Sequence, residues 1–289
     1  MGSLRAILLS GAVVFGASGY AYSADLLPPA PRIEAPIAAD PDQDFSGWYI
    51  RGDMGIGLHR SAKMKGTPDP LSLVFPNFVP VSYNIRPAAI SGSPFIGAGF
   101  GYKFNNWFRA DITAEYRTST FSSQDEYVYG NPLAVPANTS VLRNFYRGNL
   151  GSMVYLLNAY VDLGTWHGVT PFIGAGIGIS RNTLHGVTDE GYSNTFAGAG
   201  TGTTSNTSGT FKTKTTTQFA WALMAGAAYD VNSRLKLEMG YRYLNMGGAK
   251  APIPNCNAFG PGLQPCAVTF QMARSGVHDV RFGFRWMLD

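Results

Sequence analysis

From residue 45 onward, apolar and polar side chains alternate with a period of two in eight segments. These span about 46–58, 93–104, 107–118, 150–163, 171–181, 215–230, 234–246 and 277–287. Alternation of this kind puts successive side chains on opposite faces of a strand. The stretch FRADITAEYR shows it most clearly. Phe108, Ala110, Ile112, Ala114 and Tyr116 share one face, while Arg109, Asp111, Glu115 and Arg117 share the other. The connections alternate in length. Tight ones fall near 105–106, 164–169 and 232–233, and long ones, rich in Gly, Pro, Ser, Thr and Asn, near 59–92, 119–149, 182–214 and 247–276. In an up-and-down sheet all the short connections lie at one end and all the long ones at the other. The pattern therefore predicts an all-β fold: an eight-stranded antiparallel up-and-down transmembrane β-barrel with long external loops.

Alternation does not by itself decide which face points inward. A soluble barrel would bury the apolar face; three features predict the opposite phase. Aromatic residues cluster near strand ends, with Trp48, Tyr102, Phe108, Tyr229 and Trp286 at the short-turn end and Tyr116, Tyr155, Phe219 and Tyr243 toward the long-loop end. Two such belts match the girdles of a membrane barrel. The polar face mixes glycine with charges of both signs, and the last segment, HDVRFGFRW, carries Val280, Phe282, Phe284 and Trp286 on one face. Placing Arg or Lys on the lipid face near mid-membrane costs roughly 2–4 kcal/mol each. Inverting the segment 107–118 would thus cost well over ~5 kcal/mol, and a one-residue register slip has the same effect.

With that phase the lumen receives Arg51, Asp53, Lys103, Arg109, Asp111, Glu115, Arg117, Asp162, Lys236, Glu238, Arg242, Asp279, Arg281 and Arg285. An eight-stranded barrel is only wide enough inside for its own side chains. Buried charges there must be paired, since an unpaired one is strongly destabilising. The expectation is an ion-pair network filling the lumen. In it Arg109, Asp111, Glu115 and Arg117 meet Lys103, Asp162 and lumen arginines across the barrel. A general-diffusion pore takes about 16 strands, so a wide aqueous channel is not expected, and a low-conductance porin with a narrow path through the plug stands as an alternative.

The first 44 residues follow a different pattern. Arg5 precedes an apolar run from Ala6 to Ala17 and small residues through Ala24, the layout of a secretory signal peptide over 1–24 cleaved after Ala24 or Ala21. The run of about 12 residues is too short for a spanning helix, which needs roughly 20. Residues 25–44 carry five prolines (DLLPPAPRIEAPIAADPDQD) and read as a periplasmic linker before the barrel at 45–289. The two cysteines, Cys256 and Cys266, are expected to form a disulfide in an exported protein. A net charge of +4 with scattered Lys and Arg gives no sign of nucleic-acid binding, and no nucleic-acid partner is expected.

Little chemistry stands out. His59 and Ser61 form a His-x-Ser pair of the kind outer-membrane lipid deacylases use, but no acid of evident role accompanies them. His59 and His185 fall in or near long connections, where they could ligate haem iron. There is no metal-ligand spacing, nucleotide loop or nucleophile elbow, so neither an enzyme nor a resident cofactor is expected. The long connections are where a host or small-molecule ligand would be met.

Several segments, in this order, carry a family resemblance: YSADL, GWYIRGDMGIG, GAGFGYKFNNWFRADITAEYR, PFIGAGIGIS, KLEMGYRYLNMG and HDVRFGFRW. Together they resemble the small outer-membrane β-barrel proteins of alpha-proteobacteria, the porin-family and surface-antigen class, over most of residues 22 to 287. The resemblance implies an eight-stranded barrel in the outer membrane with periplasmic termini. It also implies contact with lipid and lipopolysaccharide and a part in envelope integrity. Some relatives are described as haemin-binding, and no catalytic residues carry over. A terminal aromatic is usual in such strands, whereas here Met287, Leu288 and Asp289 follow Trp286.

Overall fold

The computed structural model describes residues 46–59, 64–66, 79–131, 138–197, 203–250, 254–256, 270–272 and 276–288. The expected signal peptide, the linker, Ser61 and Cys266 lie outside the described residues, and with Cys266 so does the expected disulfide. Eight long strands run in chain order. They are β1 (Gly47–His59), β2 (Ser93–Lys103), β3 (Phe108–Asn131), β4 (Asn138–Asp162), β5 (Val169–Ala197), β6 (Lys214–Asp230), β7 (Leu235–Asn245) and β8 (Gly276–Met287). Each pairs antiparallel with the next, and β8 pairs back onto β1 with Arg285 opposite Arg51. The ring of pairings is closed, which removes the free edges an open sheet of this length would carry.

Two of the short turns use one device. Asn105 Oδ1 accepts hydrogen bonds from the backbone N–H groups of Trp107 (3.0 Å) and Phe108 (2.7 Å). Asn232 Oδ1 accepts in the same way from Arg234 (2.9 Å) and Leu235 (2.8 Å). A side-chain carbonyl thus replaces a backbone acceptor and reverses the chain in the fewest residues. The β4–β5 turn instead places His167 and Gly168 at positive φ (52° and 79°), which glycine adopts without strain.

The long-loop end departs from expectation. Residues 119–149 and 182–214 read as loops, yet β3, β4 and β5 continue for 24, 25 and 29 residues, well beyond the 9–11 that a spanning strand requires. On β3 the outward row is Ala110, Ile112, Ala114 and Tyr116, then Thr118, Thr120 and Ser122, so the apolar band ends at Tyr116. Beyond it run roughly 50 Å of further strand. Val79–Ile85 pairs with residues 125–130, Thr203–Phe211 pairs with residues 188–195, and Pro254–Cys256 pairs with residues 209–211. The Thr- and Ser-rich part of the connection 182–214 is therefore in part a strand, Thr203–Phe211. Thr, Ser and Asn satisfy a period of two with polar residues on both faces, and such a strand looks like a loop when alternation is scored by hydrophobicity. On the inward side of this extension Phe121, Tyr146, Leu150, Leu184, Val187 and Phe211 form a buried apolar cluster with Ala88, Ala249 and Met272.

Candidate functional site

Three tiers of charge lie inside the barrel. At the outer tier, Arg242 of β7 donates from Nη2 to Glu115 Oε2 (2.7 Å) and from Nε to Asp279 Oδ2 (2.8 Å). Arg117 joins the same two carboxylates, with Nη2 3.0 Å from Asp279 Oδ2 and Nε 3.0 Å from Glu115 Oε1. The Phe95 ring lies beneath both guanidinium groups, at 4.9 and 5.1 Å. In the middle tier Asp111 accepts from Arg51 Nη1 (2.8 Å), Tyr49 Oη (3.0 Å) and Asn158 Nδ2 (2.8 Å). Arg51 also reaches Asp53 (2.8 Å) and Glu238 (3.1 Å), and Arg281 meets Asp53 at 3.0 Å. At the inner tier Arg109 Nε lies 3.2 Å from Asp162, and Lys236 pairs with Asp230. Charge-assisted contacts of this sort recover part of the large desolvation penalty that each ion suffers on burial.

Small residues make the space. A Cβ added to Gly99 would stand 3.0 Å from Arg51 Cγ, and one added to Gly101 would stand 2.5 Å from Tyr49 Cζ. The inward glycines of β2 thus lie where β1 sends its largest side chains.

The lumen is not charged all round. Val154, Leu156, Phe172, Ala220, Ala222, Met224 and Leu244 line the β4–β7 wall and are buried against one another. The Arg109 guanidinium stacks on this wall, 4.0 Å from the Tyr160 ring centre and 4.9 Å from that of Phe172. Between the two halves a cavity of about 20 Å³ is lined by Arg51, Asp53, Tyr160, Met224, Glu238 and Arg281 among others. That is room for about one water.

The structure sharpens the expected placement of three residues and a fourth, His185. Lys103 points inward but has no carboxylate within 4.0 Å among the described residues, because its cross-strand neighbour is Arg109. Lys236 is met by Asp230, its cross-strand neighbour at the end of β6, an acid outside the expected set. His59 adjoins a long connection, as expected. It ends β1 on the inward face with both ring nitrogens buried, whereas His185 lies on the outward face of β5, its ring against Gly151 beside Tyr116. These two histidines fall on opposite sides of the wall, so they form no pair of axial ligands. Among the described residues no group of three His, Cys, Asp or Glu side chains converges as a metal site.

On the outside, Trp48, Tyr116, Tyr155, Phe219, Tyr229 and Trp286 are exposed, and Tyr102, Phe108 and Tyr243 are half-buried among outward-facing neighbours. At the short-turn end the rings touch in series. Trp48 stacks on Phe100 (4.8 Å between centres) and meets Tyr102 edge-on (4.9 Å), Tyr102 meets Phe104 (5.1 Å), and Phe104 meets Phe108 (5.4 Å). Ile96, Ile112, Leu157, Ile177, Leu223 and Met239 fill the band between the belts and are exposed. So large an apolar surface on a folded chain marks a contact with something other than water.

Residues 33–263 match the family described as outer membrane protein beta-barrel domain. The chain belongs to that family. This outer-membrane barrel is 29% identical over 285 residues to an uncharacterised protein of Brucella abortus, with 92% of each chain covered. It is likewise 29% identical over 240 residues to a putative adhesin of Rickettsia bellii, covering 83% of this chain and 87% of that one. Among solved structures it is similar to Neisserial surface protein A at 19% identity, covering 84% and 99% of the two chains with a TM-score of 0.37. The barrel resides in the bacterial outer membrane, and its apolar band faces lipid.

Sequence reasoning missed Tyr49, Asn158, Tyr160 and Asp230, all of which hold lumen charges. Tyr49 and Tyr160 could have been found by parity, since each shares the face of a lumen charge two residues away, Arg51 and Asp162.

Proposed function

We propose that this barrel is a structural surface protein that supports the outer-membrane envelope, with a lumen closed to solute flow and no catalytic role. The observation that carries the reading is the tie between opposite walls: Arg242 of β7 and Arg117 of β3 share Glu115 and Asp279 in a fully buried network. A wall cross-linked in this way resists opening, and the apolar cluster around Phe121 and Leu184 lies beyond it. Deletion of the gene should sensitise cells to detergents and to large antibiotics that an intact outer membrane excludes, and complementation should reverse this. The purified protein should show heat-modifiable mobility on a denaturing gel. Unchanged envelope permeability in the deletion strain would count against the reading.

A second reading concerns the part above the membrane. The extended β3–β5 sheet, widened by Val79–Ile85 and Thr203–Phe211, offers a broad polar surface, and a relative is described as a putative adhesin. We infer that this sheet is where a host surface or another ligand would be met. Cells expressing a barrel trimmed of its external strands should adhere no less than wild type if that inference is wrong.

A further inference from the structure

The short-turn end of the lumen carries more positive charge than its carboxylates neutralise. Three like-charged pairs stand directly opposite one another on the inward face. Lys103 faces Arg109 across β2–β3, while Arg285 faces both Lys236 across β7–β8 and Arg51 across β8–β1. Directly opposed like charges destabilise a sheet unless something lies between them.

The carboxylates present do not fill that role. Glu238 Oε1 is approached by two guanidinium groups at once, Arg109 Nη2 at 3.5 Å and Arg285 Nε at 3.3 Å. This is the one ion pair Arg285 makes within 4.0 Å among the described residues. Arg109 is fully buried and Arg285 nearly so, yet Nη1 of each has no hydrogen-bond partner. A buried guanidinium nitrogen left without an acceptor is strongly unfavourable. Lys103, half-buried beside them, adds a third cation with no ion pair.

We propose that a small inorganic anion of chloride type binds at this end of the lumen, accepting from Arg109 and Arg285 Nη1 with Lys103 at its entrance. Both guanidinium groups already converge on a single oxygen atom, so one compact anion can be shared by their free edges. The site faces the short-turn side, which makes the periplasm its source of anion. It is independent of the envelope role: a barrel with an empty site would still be a closed barrel.

The test uses the whole folded protein in a zwitterionic detergent, at constant ionic strength, as sodium gluconate is replaced by sodium chloride. The urea midpoint should rise saturably with chloride, because gluconate is too bulky to enter. Arg285→Gln should abolish the rise. Should that variant not fold, Lys103→Gln supplies the test: it should flatten the rise, and with the repulsion of Arg109 relieved its gluconate midpoint should lie at or above that of wild type. Crystals soaked in bromide should show an anomalous peak within hydrogen-bond distance of both Nη1 atoms. Equal midpoints in chloride and gluconate, or bromide-soaked crystals without that peak, would overturn the proposal.

Discussion

Arg242 Nη2 donates to both carboxylate oxygens of Glu115, at 2.9 and 2.7 Å, and so joins strands that stand four places apart in a ring of eight. The two residues are 127 positions apart in the chain. Their bond can form only after the barrel has closed, so it reports closure itself. Removing one partner of a buried pair leaves a charge without compensation, at roughly 3–5 kcal/mol. Glu115→Ala should therefore lower the urea midpoint strongly, since Arg117 loses the same partner. Adding Arg242→Ala should recover part of the loss. A double-mutant cycle with no coupling would show that the pair does not hold the walls together.

Steric room in the lumen is a separate requirement. A Cβ on Gly57 would stand 2.4 Å from Asp279 Oδ1 and 3.2 Å from Arg117 Nη1. Gly57→Val should displace the outer tier and destabilise the barrel by about 1–3 kcal/mol, the usual range for overpacking. Its unfolding midpoint checks this, and a midpoint equal to that of wild type would mean the tier can shift freely.

Lipid exposure predicts a position-dependent penalty. Ile112 is 64% exposed in the middle of the apolar band. Ile112→Lys should reduce stability in bilayers by about 2–4 kcal/mol. Thr120→Lys, on the same face but beyond Tyr116, should have little effect. Equal penalties at the two positions would misplace the membrane boundary.

Above the membrane, Asp125 of β3 is buried, where it accepts from Asn144 Nδ2 (2.9 Å) and Tyr146 Oη (3.1 Å). Burial is the largest influence on it and raises its pKa from 3.8 to about 6, with these hydrogen bonds opposing the rise. Because the folded value lies above the unfolded one, the folded sheet binds the proton more tightly. The resulting stability is complete below pH 3.8 and is lost as pH rises through about 6. Hydrogen exchange of the β3–β4 extension should accordingly slow between pH 7.5 and 5 beyond the intrinsic change. Asp125→Asn, neutral throughout, should remove that excess. An unchanged excess in the variant would assign the effect to another group.

Much of this architecture can be read from parity alone. FRADITAEYR puts Arg109, Asp111, Glu115 and Arg117 on one face, and any strand with that content in a membrane must turn them inward. The apolar lumen wall could not be read so easily. Leu150, Val154 and Leu156 face inward on β4 while Met153, Tyr155 and Leu157 face outward, so both faces look lipid-facing to a hydrophobicity pattern. The external strand Thr203–Phe211 escaped for the converse reason, its Thr, Ser and Asn making both faces polar. Ion-pair partners also lay beyond reach. Which carboxylate meets Arg51 or Arg117 depends on strand stagger around the ring, and the short turns do not encode the stagger of distant strands.

The central claim is that opposite walls are tied across a lumen with no open path, and single-channel recording tests it most directly. Wild-type protein inserted into a planar bilayer should show no stable open conductance. Glu115→Ala, if it inserts, should show transient openings as Arg242 and Arg117 lose their shared partner. A steady, well-defined conductance from the wild-type barrel would contradict the account.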